Sequence, residues 1–206
     1  MLVNFGKSNI FNKAKQQPDK VKEVLNKIST DGVLPTLDAV RAKLGEPIPL
    51  GYSNVGIVLE SDVEQFSVGD RVVSNGAHAD IIMVPKNLCA KIPEVVADEE
   101  AVFTVLASIA LQGVRLAEPT IGEAFVVYGL GLIGLIAVQL LIANGCQVIA
   151  IDLQASRCAL AKEFGAKSID IGKGEDAINA VNALTHSKGA YGVLITASAS
   201  GDEIVH

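Results

Sequence analysis

The chain has no tryptophan, only three tyrosines and six phenylalanines, and 19 glycines among its 206 residues, which implies an aliphatic core with many tight turns. Cysteine is scarce as well. The three present, Cys89, Cys146 and Cys158, are odd in number and far apart, with no C-x-x-C pair and no Cys/His cluster. That spacing excludes a disulfide framework and gives no support to a structural zinc site. Free thiols, buried or half-buried in a reducing cytoplasm, fit it better. A positive charge balance is also missing. The formal net charge is −6, whereas a general nucleic-acid binder needs a clustered basic surface. The opening MLVNFGKSNIFNKAKQQ has Asn4, Lys7 and Asn9 breaking every apolar run, so it does not read as a secretory signal.

Charge of either sign is absent over residues 124–147, a run long enough to cross a bilayer. Gly129, Gly131 and Gly134 fall early in it, and Val126, Val127 and Tyr128 before them favour a strand. A buried parallel strand followed by a helix packed on a sheet gives the same texture, and no membrane span is expected.

What is present is the composition of a folded protein: half the residues are hydrophobic and 19% are charged. Pro18 and Asp19 open a helix in which Val21, Val24, Leu25 and Ile28 repeat at helical spacing, ending at Asp31-Gly32. Pro35 opens a second, with Leu37, Val40 and Leu44, so the two predict a helical hairpin. Short β-rich pieces follow at 55–60, 71–74, 79–85 and 88–92, separated by turns at Gly69-Asp70, Asn75-Gly76 and Pro85-Lys86-Asn87. They predict a small antiparallel barrel or sandwich. Asp98-Glu99-Glu100 places acid at the N-terminus of a helix running to about Leu116. Strands at 124–128, 147–152, 168–171 and 191–196 then alternate with helices, the order of a doubly wound parallel sheet.

The first of those strands runs into Gly129-Leu130-Gly131-Leu132-Ile133-Gly134, a GxGxxG between strand and helix. Gly129 permits the tight turn, Gly131 admits a pyrophosphate against the backbone, and Gly134 lets helix and strand pack closely. Amides at the helix N-terminus, around Leu132 and Ile133, then face the phosphates. Asp152 ends the next strand about 20 residues further on, where a carboxylate accepts from the ribose hydroxyls. That charge would repel the extra phosphate of NADP. Leu153 and Gln154 follow it, and Arg157 lies one turn away. The reading is a dinucleotide site for NAD rather than NADP, with FAD a poorer fit.

Several stretches in order resemble the medium-chain dehydrogenase/reductase superfamily, whose zinc-type alcohol dehydrogenases pair a GroES-like barrel with a Rossmann domain. They are Gly51-x-x-x-x-Gly56-x-Val58, Phe66-x-x-Gly69-Asp70-Arg71-Val72, Ala79-x-x-x-x-Val84-Pro85, Asp98-Glu99-Glu100-Ala101, Gly122 and Glu163-Phe164-Gly165-Ala166. Gly6-Lys7, Gln16 to Lys22, and Ile48 to Gly56 resemble one branch, bacterial bi-domain oxidoreductases fused to a glucose-fructose oxidoreductase/inositol dehydrogenase-like half. That branch carries a helical insertion like residues 10–45 here. The resemblance implies an α/β fold: a partial GroES-like β-barrel with a helical insertion, then an incomplete Rossmann sheet cut after its fourth strand. The divisions expected are 1–46, 47–117 and 118–206, and the chain is expected to be a fragment of a longer protein.

Departures from the family bear on chemistry. Zinc-using members have Gly-His-Glu where this chain has Gly51-Tyr52-Ser53, and Thr104 stands where they have a cysteine ligand. Zinc is therefore not expected. By the resemblance Tyr52 lies in the cleft, where its hydroxyl can polarise a carbonyl oxygen, or where it fills the space vacated by metal. Thr104 and Ser108, one helical turn apart, contact nicotinamide or are satisfied by local carbonyls. Ile133 packs on the nicotinamide ring or is ordinary core. His78 is a proton carrier or a surface-loop histidine.

The expectation is an NAD-dependent, zinc-free cytoplasmic oxidoreductase acting on a small alcohol/carbonyl substrate, such as a sugar derivative of polysaccharide synthesis. The alternatives are a non-catalytic dinucleotide-binding module serving a fused or partner oxidoreductase domain, and an isolated fragment without activity. A homodimer or a fused second domain are the protein partners considered, and nucleic acid and membrane are not among them.

Overall fold

The computed structural model describes residues 18–33, 35, 36, 40 and 50–198. They fall into two compact units: those up to Tyr52 with Gly76–Met83, and Ser53–Asn75 with those from Val84 onward.

In the first unit, α1 (Pro18–Asp31) forms where the apolar spacing predicts it. Val21, Val24 and Ile28 are half-buried while Lys22, Asn26 and Lys27 face solvent, so the helix is amphipathic. Gly32 closes it by donating its N–H to Ile28 O. The rest of the expected hairpin lies mostly outside the described residues. The segment 79–85, expected as a strand, forms no ladder among the described residues. Its apolar side chains Ile81 and Met83 are 76% and 98% exposed, so this strand-favouring run is not packed as a sheet face.

The second unit begins with a three-stranded antiparallel sheet, β1 (Asn54–Ile57), β2 (Arg71–Ser74) and β3 (Cys89–Lys91), in that spatial order. Asn54 pairs with Ser74, and Val73 with Ala90. Val73, Ile92 and Ala101 form a small core beneath it. The helix expected from Asp98 to Leu116 is two helices, α2 (Asp98–Ala101) and α3 (Thr104–Leu116), broken at Val102-Phe103. Acid at the start of α2 is held from outside the helix, because Arg71 bridges Asp98 and also donates to Val96 O at 2.9 Å.

The larger sheet is all parallel. It consists of β4 (Ala124–Tyr128), β5 (Gln147–Asp152), β6 (Lys167–Asp170) and β7 (Gly192–Ile195), in the order β6-β5-β4-β7. This is the 3-2-1-4 portion of a doubly wound nucleotide-binding sheet, with the reversal of strand order at β4. The β-branched and aromatic run Phe125-Val126-Val127 sits at the centre and is covered on both faces. On one face Phe125, Val127, Val148 and Ala150 pack with α4 (Leu132–Ala143) and α5 (Ala155–Glu163). On the other, Val126, Ile149, Ile151 and Ile169 pack with α6 (Ala177–Leu184).

That sandwich explains the uncharged run. Helix α4 is apolar around much of its circumference because Ala137, Val138 and Leu141 face the sheet while its neighbours pack on α3. Among the described residues no helix is long and apolar enough to cross a membrane.

Candidate cofactor site

The end of β4 is the point where neighbouring strands depart in opposite directions, and a crevice at that switch point is where doubly wound sheets bind ligands. The chain turns there through Gly129, whose φ of +95° lies in the left-handed region open to glycine. Three hydrogen bonds fix the turn. Gly129 donates its N–H to Ile151 O at 2.8 Å, Leu130 donates its N–H to Asp152 Oδ2 at 2.6 Å, and Thr196 Oγ1 donates to Gly129 O.

The chain then enters α4 with Gly131 as its N-cap. No side chain caps this end and no acid lies in its first turn, so its leading amides are unmatched by protein side chains. A Cβ placed on Gly131 would meet nothing within 4 Å, so the approach to these amides is open. Gly134 is the reverse case. A Cβ there would collide with Gly129 O and stand 2.6 Å from Thr196 Oγ1. Its absence lets α4 close onto the turn.

Asp152 completes this corner. Its side chain is buried, and Oδ1 accepts from the N–H of Gln154 at 2.8 Å. Arg157 Nη1 lies 3.6 Å from Oδ2 and is the partly exposed counter-ion of a carboxylate inside the protein. Asp170 is the register neighbour of Asp152 on β6; it is also buried and pairs with Lys173 at 3.1 Å. Two adjacent strand ends therefore each carry a buried carboxylate with a more exposed cation. Lys173 is held above its ordinary value, first by the hydrogen bond to Asp170 and then by that residue's charge.

Behind the turn lies an apolar pocket of about 290 Å³ lined by Ile109, Ala110, Gly113, Ile133 and Leu194 together with Thr196. Leu132, by contrast, is half exposed. The structure thus brings Gly129, Gly131, Leu132, Ile133, Gly134, Asp152 and Arg157 to one end of the parallel sheet.

The other sequence candidates are distributed differently. Ser108 is exposed on α3 and donates its hydroxyl to Val105 O at 2.7 Å, as helix hydroxyls do. Thr104 is the exposed first residue of α3. Ser53 donates to Val102 O at 2.5 Å. Tyr52 and His78 belong to the first unit, Thr104 and Ser108 to the second. Tyr52 is half exposed, and the His78 imidazole packs so closely on Gly51 that a Cβ there would overlap the ring.

Sequence reasoning did not single out Thr196. Its only signal was its place at the end of the strand flanking β4. Among the described residues no group of three or more His, Cys, Asp or Glu side chains could hold a metal ion. Cys146 and Cys158 are buried, with their thiols directed at main-chain carbonyls.

Comparison with known proteins agrees with this architecture. Residues 133–202 match the family described as zinc-binding dehydrogenase. The chain is 35% identical to D-guloside 3-dehydrogenase of Escherichia coli K12 over 161 residues, 75% of this chain and 46% of that protein. It is 26% identical to (R,R)-butanediol dehydrogenase of Bacillus subtilis over 162 residues, covering 64% of this chain and 47% of that protein. The chain thus spans about half the length of the curated relatives it matches. Among solved structures, the alcohol dehydrogenase of Thermus sp. ATN1 shares the fold with a TM-score of 0.70 at 23% identity, over 76% of this chain and 57% of that one. A mycobacterial protein complexed with NADPH superposes with a TM-score of 0.60 at 31% identity, over 74% of this chain and 51% of that one. The mixed α/β architecture, one antiparallel and one parallel sheet, is shared with these neighbours, and together the matches support the medium-chain dehydrogenase/reductase superfamily for this chain.

Proposed function

We propose that this chain is the cofactor-binding part of an alcohol dehydrogenase-like oxidoreductase that uses NAD(H) and acts without a resident zinc ion. One observation carries the cofactor reading. The open backbone at Gly131, at the uncapped start of α4, stands beside the buried carboxylate of Asp152 at the sheet's switch point. An uncapped helix N-terminus favours a diphosphate, and a carboxylate at that distance along the chain favours a ribose with a free 2′-hydroxyl. The anionic Asp152 supports NAD over NADP. Arg157 is already engaged with it, which leaves that cation less free for a 2′-phosphate.

When bound, the nicotinamide supplies the hydride acceptor or donor. The chain's own residues bind and orient. Ile133 offers an apolar surface to a ring, and Thr104 and Ser108 offer hydroxyls from α3. On the family resemblance alone, Tyr52 is the proposed hydrogen-bond donor to a substrate oxygen and His78 the proposed proton carrier. The residues at the family's ligand positions, Tyr52 and Thr104, do not fit zinc, which takes thiolate, imidazole or carboxylate donors. No step is assigned to a metal. The names of two relatives, D-guloside 3-dehydrogenase and (R,R)-butanediol dehydrogenase, support a hydroxylated substrate or its ketone, and the family resemblance offers polysaccharide synthesis as a setting. A second reading is a dinucleotide-binding module serving a fused or partner oxidoreductase domain, and Tyr52 and Thr104 at the family's ligand positions favour it.

The test is titration of the full chain with NADH and with NADPH, following nicotinamide fluorescence. Saturable NADH binding, tighter than that of NADPH, is expected, and none at millimolar cofactor would end the proposal. Elemental analysis of the same protein should find well under one zinc per chain.

A further inference from the structure

The peptide unit joining Gly129 to Leu130 is held at both ends by side chains at the ends of two different strands, β5 and β7. Its N–H donates to Asp152 Oδ2 at 2.6 Å, from the end of β5, and its carbonyl accepts from Thr196 Oγ1, just beyond β7. These strands flank β4 on opposite sides. A trans peptide points its N–H and C=O in opposite directions, so the two side chains act on the plane from its two edges. Rotation of that plane would break both bonds at once.

Thr196 is itself fixed. Its N–H donates to Tyr128 O at 2.9 Å as the parallel ladder runs out, and Ala197 follows so close to Gly129 that a Cβ on Gly129 would stand 2.5 Å from its nitrogen. Gly134 lies on the remaining side, where a Cβ in its place would stand 2.6 Å from Thr196 Oγ1. Gly129 and Leu130 are both buried, so the Thr196 hydroxyl bonds a carbonyl that water does not readily serve.

We infer that Thr196 is a positioning residue for the glycine turn, acting with Asp152 to fix the peptide plane from which the diphosphate-facing amides of α4 are launched. This rests on the dinucleotide reading above. Donors aimed in advance need no reorganisation when the anion arrives, so the hydroxyl contributes to affinity without touching the ligand. Asp152 gains a second duty, holding the turn as well as offering its remaining lone pairs to a ribose.

The test compares full-length wild type, Thr196→Val, an isostere without the hydroxyl, and Thr196→Ser, which keeps it. Each is titrated with NADH, with ADP and with adenosine, and the folded state is checked by circular dichroism. Should Thr196→Val not fold, Thr196→Ala takes its place. Thr196→Val is expected to bind NADH and ADP about fivefold to tenfold more weakly, with adenosine unchanged within about twofold and Thr196→Ser close to wild type. Equal NADH affinity for Thr196→Val and wild type would overturn the inference while leaving the cofactor site standing. So would an equal loss for adenosine, or a Thr196→Ser variant as weak as Thr196→Val. Wild type that binds neither NADH nor ADP overturns both the site and the inference.

Discussion

The carbonyl oxygen of Gly129 occupies the space that a Cβ at Gly134 would need. The last glycine of the turn therefore sets how closely α4 approaches β4, and with it where the leading amides of the helix lie.

Gly134→Ala must move either α4 or the turn, because the colliding atom is backbone and cannot rotate away. Overpacking of this kind costs about 1–3 kcal/mol, which exceeds the propensity gain of alanine over glycine in a helix, about 1 kcal/mol. Urea unfolding should show net destabilisation, and NADH titration of the folded variant should show weaker binding. A variant as stable as wild type that binds equally well would mean the turn is not closed against α4.

Asp152→Asn keeps an acceptor for Leu130 N–H while removing the charge. The turn should survive, so the change reports on cofactor choice rather than on folding. Loss of the anion releases Arg157 and removes repulsion toward a 2′-phosphate. The ratio of NADPH to NADH dissociation constants should fall by about tenfold or more, about 1.4 kcal/mol. An unchanged ratio would show that the carboxylate does not face the ribose.

Asp70 links the strand β2 region to β3. Its carboxyl lies below its ordinary value of 3.8, first through the hydrogen bond from Lys91 and then through the backbone N–H of Ser67. Lys91 Nζ is 2.6 Å away, and the N–H of Ser67 donates at 2.6 Å. A carboxyl depressed in the folded state contributes stability that is complete above its unfolded value and is lost as pH falls through the folded one. The stability difference between wild type and Asp70→Asn should therefore be flat near neutrality and shrink below about pH 4. Thermal unfolding from pH 7 to pH 3 reads it directly. A difference that grows on acidification would contradict the sign.

How legible this was from the sequence depended on range. The parallel elements were readable because each is a run of one texture, as in Val126-Val127-Tyr128 followed by glycines, bounded by its own turn residues. Asp152 was readable because its spacing from Gly131 is fixed by one βαβ unit. Thr196 was not, since its bond to Gly129 O joins residues far apart in the chain and a lone threonine after a strand carries no local signal. The break between α2 and α3 was hidden because residues 98–116 keep helical spacing throughout, and Val102-Phe103 stay in right-handed conformation while Phe103 N–H bonds Glu100 O, one residue short of the α-helical partner. The segment 79–85 misled for the opposite reason. A run of strand-favouring residues such as Ile81-Ile82-Met83-Val84 forms a strand only if another strand pairs with it, and pairing is a tertiary fact.

The thiols offer a check on burial. Cys158 is buried, and its Sγ lies 3.4 Å from Ile169 O and 3.7 Å from Asp152 O. Burial pushes its thiol up, and the charges of Asp170 and Asp152 push the same way. Cys146 is buried with Sγ 3.6 Å from Thr120 O, and Cys89, half-buried, is also raised by burial. Thiolate is the nucleophile, so the raised thiols of Cys158 and Cys89 disfavour alkylation, and burial shields Cys146. In a disulfide-exchange assay of the native chain near pH 8, Cys89 should react first and slowly, with Cys146 and Cys158 reacting only as the chain unfolds. In guanidinium all three cysteines should titrate. Prompt reaction of all three in the native protein would show that the α5–β6 layer around Cys158 opens readily, and the carboxylate pair at the ends of β5 and β6 would then be more exposed than the structure has it.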